Sequence, residues 1–191
     1  MNGLWSTLPT HIRLRVFGAM SLLAFGMSYW VSITGEVLRT TVGPLGIVSL
    51  ELAGTPVAAQ LIYAAWGESG MQAARFNIGI DFLYLLSYGI ALSVGCSLAS
   101  AWWARRSQRM AGYGGAMSIA VLVAAVCDAV ENVAMLRGMQ DMSNPLWPML
   151  AKSCAVVKFA LLLPALLYLM TGAFTRIGTR NRPEPAAPPR P

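Results

Sequence analysis

Residues 16–34 read Val-Phe-Gly-Ala-Met-Ser-Leu-Leu-Ala-Phe-Gly-Met-Ser-Tyr-Trp-Val-Ser-Ile-Thr, 19 residues without a charge. A bilayer hydrocarbon core about 30 Å thick needs about 20 such residues in a helix, each rising ~1.5 Å. Hydrocarbon offers no partner for backbone N–H and C=O groups, so a segment this apolar crosses as a helix. Three further stretches meet the same length: residues 76–104 with Asp81 as the single charge, 113–136 with Asp128 and Glu131, and 146–175 with Lys152 and Lys158. The fold predicted is all-α: a four-transmembrane-helix bundle with spans at 16–36, 76–104, 113–136 and 146–175.

Composition agrees. Of 191 residues, 56% are hydrophobic and 12% charged, where soluble domains carry about a quarter charged. So few charges would leave a soluble protein without a solvated shell. Arg13 and Arg15 before the first stretch suggest a signal peptide, but the apolar run is long for one and no small-x-small cleavage site follows, so a retained anchor is expected.

The basic residues orient the bundle. With four spans, segment 1–15, the loop between the second and third spans, and tail 176–191 share one face. That face holds Arg13, Arg15, Arg105, Arg106, Arg109, Arg176, Arg180, Arg182 and Arg190 against Glu184. It stands at +8 and the rest of the chain at −2, which together give the +6 of the whole. Basic residues near span ends stay cytoplasmic, so both termini are predicted inside a cell membrane. The tail after Arg182 is proline-rich and is predicted to be disordered. No basic run interleaved with aromatics suggests nucleic acid.

The external connection, residues 37–75, carries a helix signature at 55–66: Thr55 as N-cap, Pro56 at the first helical position, and Gly67 as terminator. Tyr63 and Trp66 suit the headgroup layer, so an interfacial helix is predicted, on the surface or flat against the bundle top. A fifth span through 42–66 is the alternative. Pro44, Gly46, Glu51, Gly54 and Pro56 weaken it, and it would set Arg105 opposite Arg13.

Ionisable side chains inside a membrane normally face the bundle interior and have partners. Here they fall on helical stripes: Tyr29, Ser32 and Glu36; Asn77, Asp81, Tyr84 and Tyr88; Asp128, Glu131 and Asn132; Cys154 and Lys158. At ~1.5 Å per residue, Asp128 and Lys158 lie roughly 13 and 18 Å from the outer boundary, close enough to pair. The acids outnumber the buried bases, so the excess is protonated, hydrated or matched by an external cation. Ala116, Ala120 and Ala124 lead to the acids at four-residue steps and allow close helix packing. Pro164 frees a backbone carbonyl inward of Lys158 and is predicted to kink that helix.

The one histidine, His11, lies outside the spans and the cysteines sit on three different stretches. That speaks against a transition-metal site, a histidine-dependent triad and a disulfide framework. No residue pattern specifies a cofactor. Asp128-x-x-Glu131-Asn132 resembles one acidic motif of prenyl-transferring membrane enzymes, whose second motif is absent here.

Three readings follow. The first is a binding or transport protein whose acid-rich cavity, in the outer half of the bilayer, takes a cation, proton or amphiphile. The second is a membrane enzyme acting on a lipid or isoprenoid, with Asp81, Asp128, Glu131 and Lys158 as acid/base and anion-stabilising groups. The third is a structural subunit, including one of a homo-oligomer. In the first two, the ligand-facing residues expected are Glu36, Tyr84, Tyr88, Asn132 and Trp66, the last in the roof.

Overall fold

A computed structural model of the chain describes residues 3–180, the last six as backbone alone. The described residues contain no strand. Six α-helices follow in order: α1 (Thr10–Gly35), α2 (Ile47–Glu51), α3 (Pro56–Trp103), α4 (Gln108–Gly112), α5 (Gly114–Gly138) and α6 (Leu146–Arg180). A 3-10 turn, Glu36–Leu38, closes α1. Four segments are long and apolar enough to cross a membrane: Thr10–Leu38, Pro56–Trp103, Gln108–Gly138 and Leu146–Phe174. The chain is therefore an all-α membrane protein with a four-helix bundle.

α3 is the hub. It packs against α1, α5 and α6 and touches both short helices. α1, by contrast, buries no residue and packs chiefly on α3, leaving Leu22 and Phe25 more than 70% exposed. An apolar side chain facing outward is stable only in lipid or against another protein surface. The bundle is thus a three-helix core of α3, α5 and α6 with α1 laid along one side.

Small residues set the close approaches in that core. Ser93 and Ser118 each donate their hydroxyl to the other's carbonyl, at 3.0 and 2.8 Å, which pins α3 to α5. A Cβ on Gly95 would stand 2.9 Å from Phe17 of α1 and 3.1 Å from Leu169 of α6, so glycine lets α3 meet two neighbours at one level. This is the small-residue packing expected in lipid, where apolar surface gains nothing by leaving hydrocarbon for a protein interior.

The connection between α1 and α3 departs most from the sequence reading. Thr55 caps α3 as expected, its hydroxyl accepting from the Ala58 amide at 3.3 Å, with Pro56 in the first turn. Gly67, however, does not end the helix. It adopts φ 62°, ψ −168°, a conformation open to glycine and hardly to other residues, and the helix resumes on its far side. The segment expected as a separate interfacial helix is therefore the bent first arm of α3. Its Tyr63 and Trp66 are each 6% exposed and turn inward onto Leu38, Leu50, Met135 and Met139. The Trp66 indole donates to the Leu38 carbonyl at 2.7 Å. Packing against the bundle top satisfies both the ring area and the N–H, which a headgroup position would leave to water.

α2 lies in the same connection. Gly46 (φ 63°) and Gly54 (φ 70°) flank it, and it contacts α3, α5 and α6 together. It is a plug in the end of the bundle. α6 continues through Pro164 and reaches Arg180, past the predicted end at 175. The proline-rich tail beyond it lies outside the described residues.

Candidate functional site

The sequence places Asp128, Glu131 and Asn132 on one stripe of α5 because they are three and four residues apart. In the fold that stripe faces α6, and Lys158 reaches across to it. Its Nζ donates to Asp128 Oδ1 and to Glu131 Oε1, both at 2.9 Å. Lys158, Asp128 and Glu131 are 6%, 4% and 0% exposed. Ion pairs this dry persist only when hydrogen bonds accompany them, because each charge leaves water at a cost of several kcal/mol.

α3 supplies the second layer. Tyr88 donates its hydroxyl to Asp128 Oδ2 at 2.6 Å, so both carboxylate oxygens of Asp128 are engaged. Tyr84 lies against Tyr88, ring centroids 5.1 Å apart, and interacts with Ser28 of α1. Asp81, partly exposed, accepts from Asn132 Nδ2 at 2.7 Å and makes no ion pair among the described residues. Asn77 turns the other way. Its amide donates to the Val31 carbonyl and the Thr34 hydroxyl of α1, both at 2.8 Å. The four-residue stripe of α3 is therefore split between two interfaces.

Two residues sit differently from the sequence reading. Glu36 does not join the cluster: its side chain is 68% exposed and lies 3.7 Å from Arg39. The 3-10 turn ends α1 at this point and swings Glu36 outward, and an exposed pair one turn apart needs no burial. Trp66 roofs this end of the bundle, its indole N–H committed to the Leu38 carbonyl rather than to the carboxylates.

One residue takes the place expected for Glu36. Glu51, the last residue of α2, is 7% exposed and its Oε2 lies 3.6 Å from Lys158 Nζ. In the sequence alone Glu51 reads only as an obstacle to a fifth span. The available signal was a lone acid in the apolar run Ile47–Leu52 between two glycines, an arrangement a solvated loop has no need of.

Four acids thus surround one base. Lys158 is bonded to two of them and within ion-pair reach of a third, while Glu51 Oε2 and Glu131 Oε2 are buried without a hydrogen-bond donor. Such unmet acceptors are few in native structures and mark either strain or a group that binds something. A carboxyl in excess over its bases can hold a proton or face a cation. Among the described residues no cluster of His, Cys, Asp and Glu has metal-binding geometry. The cavities of about 310 to 520 Å³ in the bundle are lined by other residues, one an apolar groove between α3 and α5 bordered by Trp147 and Leu150. The three cysteines carry no disulfide, and Cys96 Sγ rests 3.8 Å from the Ala165 carbonyl. Comparison with known protein families, with curated proteins and with solved structures finds no match.

Proposed function

We propose that this multi-pass membrane protein binds and exchanges protons, or a small cation in their place, at the carboxylates around Lys158. The observation that carries the reading is the imbalance of four acids to one base, with two buried carboxylate oxygens lacking a donor. A network built only to tie helices needs no surplus acid, because each extra carboxylate adds desolvation without a partner. Asp81 is the exchanging group in this reading. It is the least buried of the four and the one without an ion pair to Lys158, held instead by the neutral Asn132. Glu51 and Lys158 hold the site together from the outer end.

The protein sits in a cell membrane with both termini cytoplasmic, a placement supported by the nine arginines against one acid on that face. The site then lies in the outer half of the bundle, some 12 residues or ~18 Å along α6 from Leu146.

The test is proton movement across liposomes containing the full chain and a trapped pH-sensitive dye, with infrared difference spectra to detect a protonated carboxyl. Asp81→Asn is expected to fold normally, to lose the protonated-carboxyl band and to lower proton movement. A second reading, a purely structural fastener, is favoured by the saturation of Lys158 and of both Asp128 oxygens. Under it Asp81→Asn changes neither signal, and that result would sink the exchange proposal.

A further inference from the structure

The opposite end of the bundle has the reverse chemistry. No aspartate or glutamate occurs among residues 1–35 or 82–127, whereas Arg13, Arg15, Arg105, Arg106 and Arg109 all do. Orientation in the membrane would account for five solvated arginines. It does not account for two of them sharing a concave site. Where the start of α1 meets the end of α3, a cavity of about 310 Å³ is lined by Thr10, Arg13, Leu98, Trp102 and Arg105. A second cavity, about 340 Å³, reaches Arg13 from the α5 side past Ser97 and Gly114.

Arg13 is held in position without an ion pair among the described residues. It donates from Nη1 to the Ser97 hydroxyl and from Nη2 to the Thr10 hydroxyl, both at 3.2 Å, and its Nε is buried with no acceptor. Hydroxyl acceptors orient a guanidinium but leave its charge uncompensated. Among the described residues, the ion pairs are those of Arg39 and Lys158, and neither Arg13 nor Arg105 has one.

We propose that Arg13 and Arg105 clamp a phosphate group in this cavity, carried by a membrane phospholipid headgroup or by a phosphate in solution. The guanidinium fork matches phosphate oxygens in pairs, which an ammonium cannot do. Basic pockets between membrane helices at the cytoplasmic level take anionic headgroups in this manner. Leu14 and Leu98 give the cavity an apolar wall beside the two arginines, as an amphiphile requires.

The full chain in neutral detergent micelles, examined by native mass spectrometry, tests this with phosphatidylglycerol and inorganic phosphate as probes and phosphatidylcholine as the control lipid. Wild-type protein is expected to retain one phosphatidylglycerol in preference to phosphatidylcholine. Arg105→Gln, an exposed position free of packing demands, should weaken retention about fivefold, and Arg13→Gln at least as much. Arg106→Gln should leave it nearly unchanged. Should Arg13→Gln misfold, Arg13→Lys and Arg105→Gln carry the test. If inorganic phosphate binds with the same dependence on Arg105 and the lipid does not, the site stands and its ligand is soluble. Equal retention of both lipids, equal loss in R105Q and R106Q, or binding of neither probe overturns the proposal.

Discussion

Replacing Lys158 by methionine keeps an unbranched apolar stem of similar length and removes the ammonium. Two opposing magnitudes bear on the outcome. Interhelical hydrogen bonds in membrane proteins average ~0.6 kcal/mol and reach ~1.7. Removing one partner of a buried pair costs about 3–5 kcal/mol, because a charge is left in low dielectric. The second governs here. Lys158 is bonded to two carboxylates at 2.9 Å and faces a third at 3.6 Å, and two of these three already have an oxygen without a donor. Proton uptake by the freed acids caps the loss, so we expect about 3 kcal/mol, the low end of that range. Reversible unfolding of the full chain in mixed micelles, followed by circular dichroism, measures it. The double variant Lys158→Met/Asp128→Asn should lose less than the two single losses together, by a coupling of about 1–3 kcal/mol. A K158M protein within ~1 kcal/mol of wild type, the scale of an exposed pair, or strictly additive losses, would refute the argument that Lys158 compensates the buried acids.

Three further outcomes follow from the geometry. Gly67→Ala should destabilise by about 1–3 kcal/mol through backbone strain alone, since a Cβ there meets nothing within 4 Å; thermal melts that do not shift would contradict the bend. Trp66→Phe keeps an aromatic side chain, though a smaller one, and strips the Leu38 carbonyl of its donor, an expected loss of at least about 1–3 kcal/mol in the same unfolding assay. Reporter fusions at Glu68 and Arg106 should report opposite sides of the membrane; both on one side would mean that the first arm of α3 and the α3–α4 turn are not separated by a span.

The helices were legible in the sequence because bilayer thickness imposes a length that chance apolar runs rarely meet, and residues 16–34 and 76–104 meet it plainly. The pairing of Lys158 with α5 was legible for a different reason. A lone ammonium twelve residues into an apolar helix has few solutions, and Asp128 and Glu131 sat at matching depth. Glu51 was not legible, because its burial depends on how the irregular segment 39–55 folds back, and two left-handed glycines leave that path undetermined locally. Glu36 falls outside the cluster because the helical period of α1 does not run through it: Glu36–Leu38 winds as a 3-10 turn. Gly67 shows a similar ambiguity: a glycine after a helix signature reads as a stop, and only the resumption of apolar packing at Gly70, Met71 and Ala74 turns the stop into a bend.

The order of the cluster along the chain bears on how the protein is made. Glu51, Asp81, Asp128 and Glu131 all precede Lys158, the nearest by 27 residues. During synthesis the acids leave the ribosome first, and the ammonium that three of them face is delivered by α6. Until α6 enters, the nascent bundle carries carboxyl groups with no base to meet them, a state that favours their protonation or retention near the membrane surface. Entry of α6 is then the step that locks the assembly. Chains interrupted before it should be the form that quality-control proteases remove.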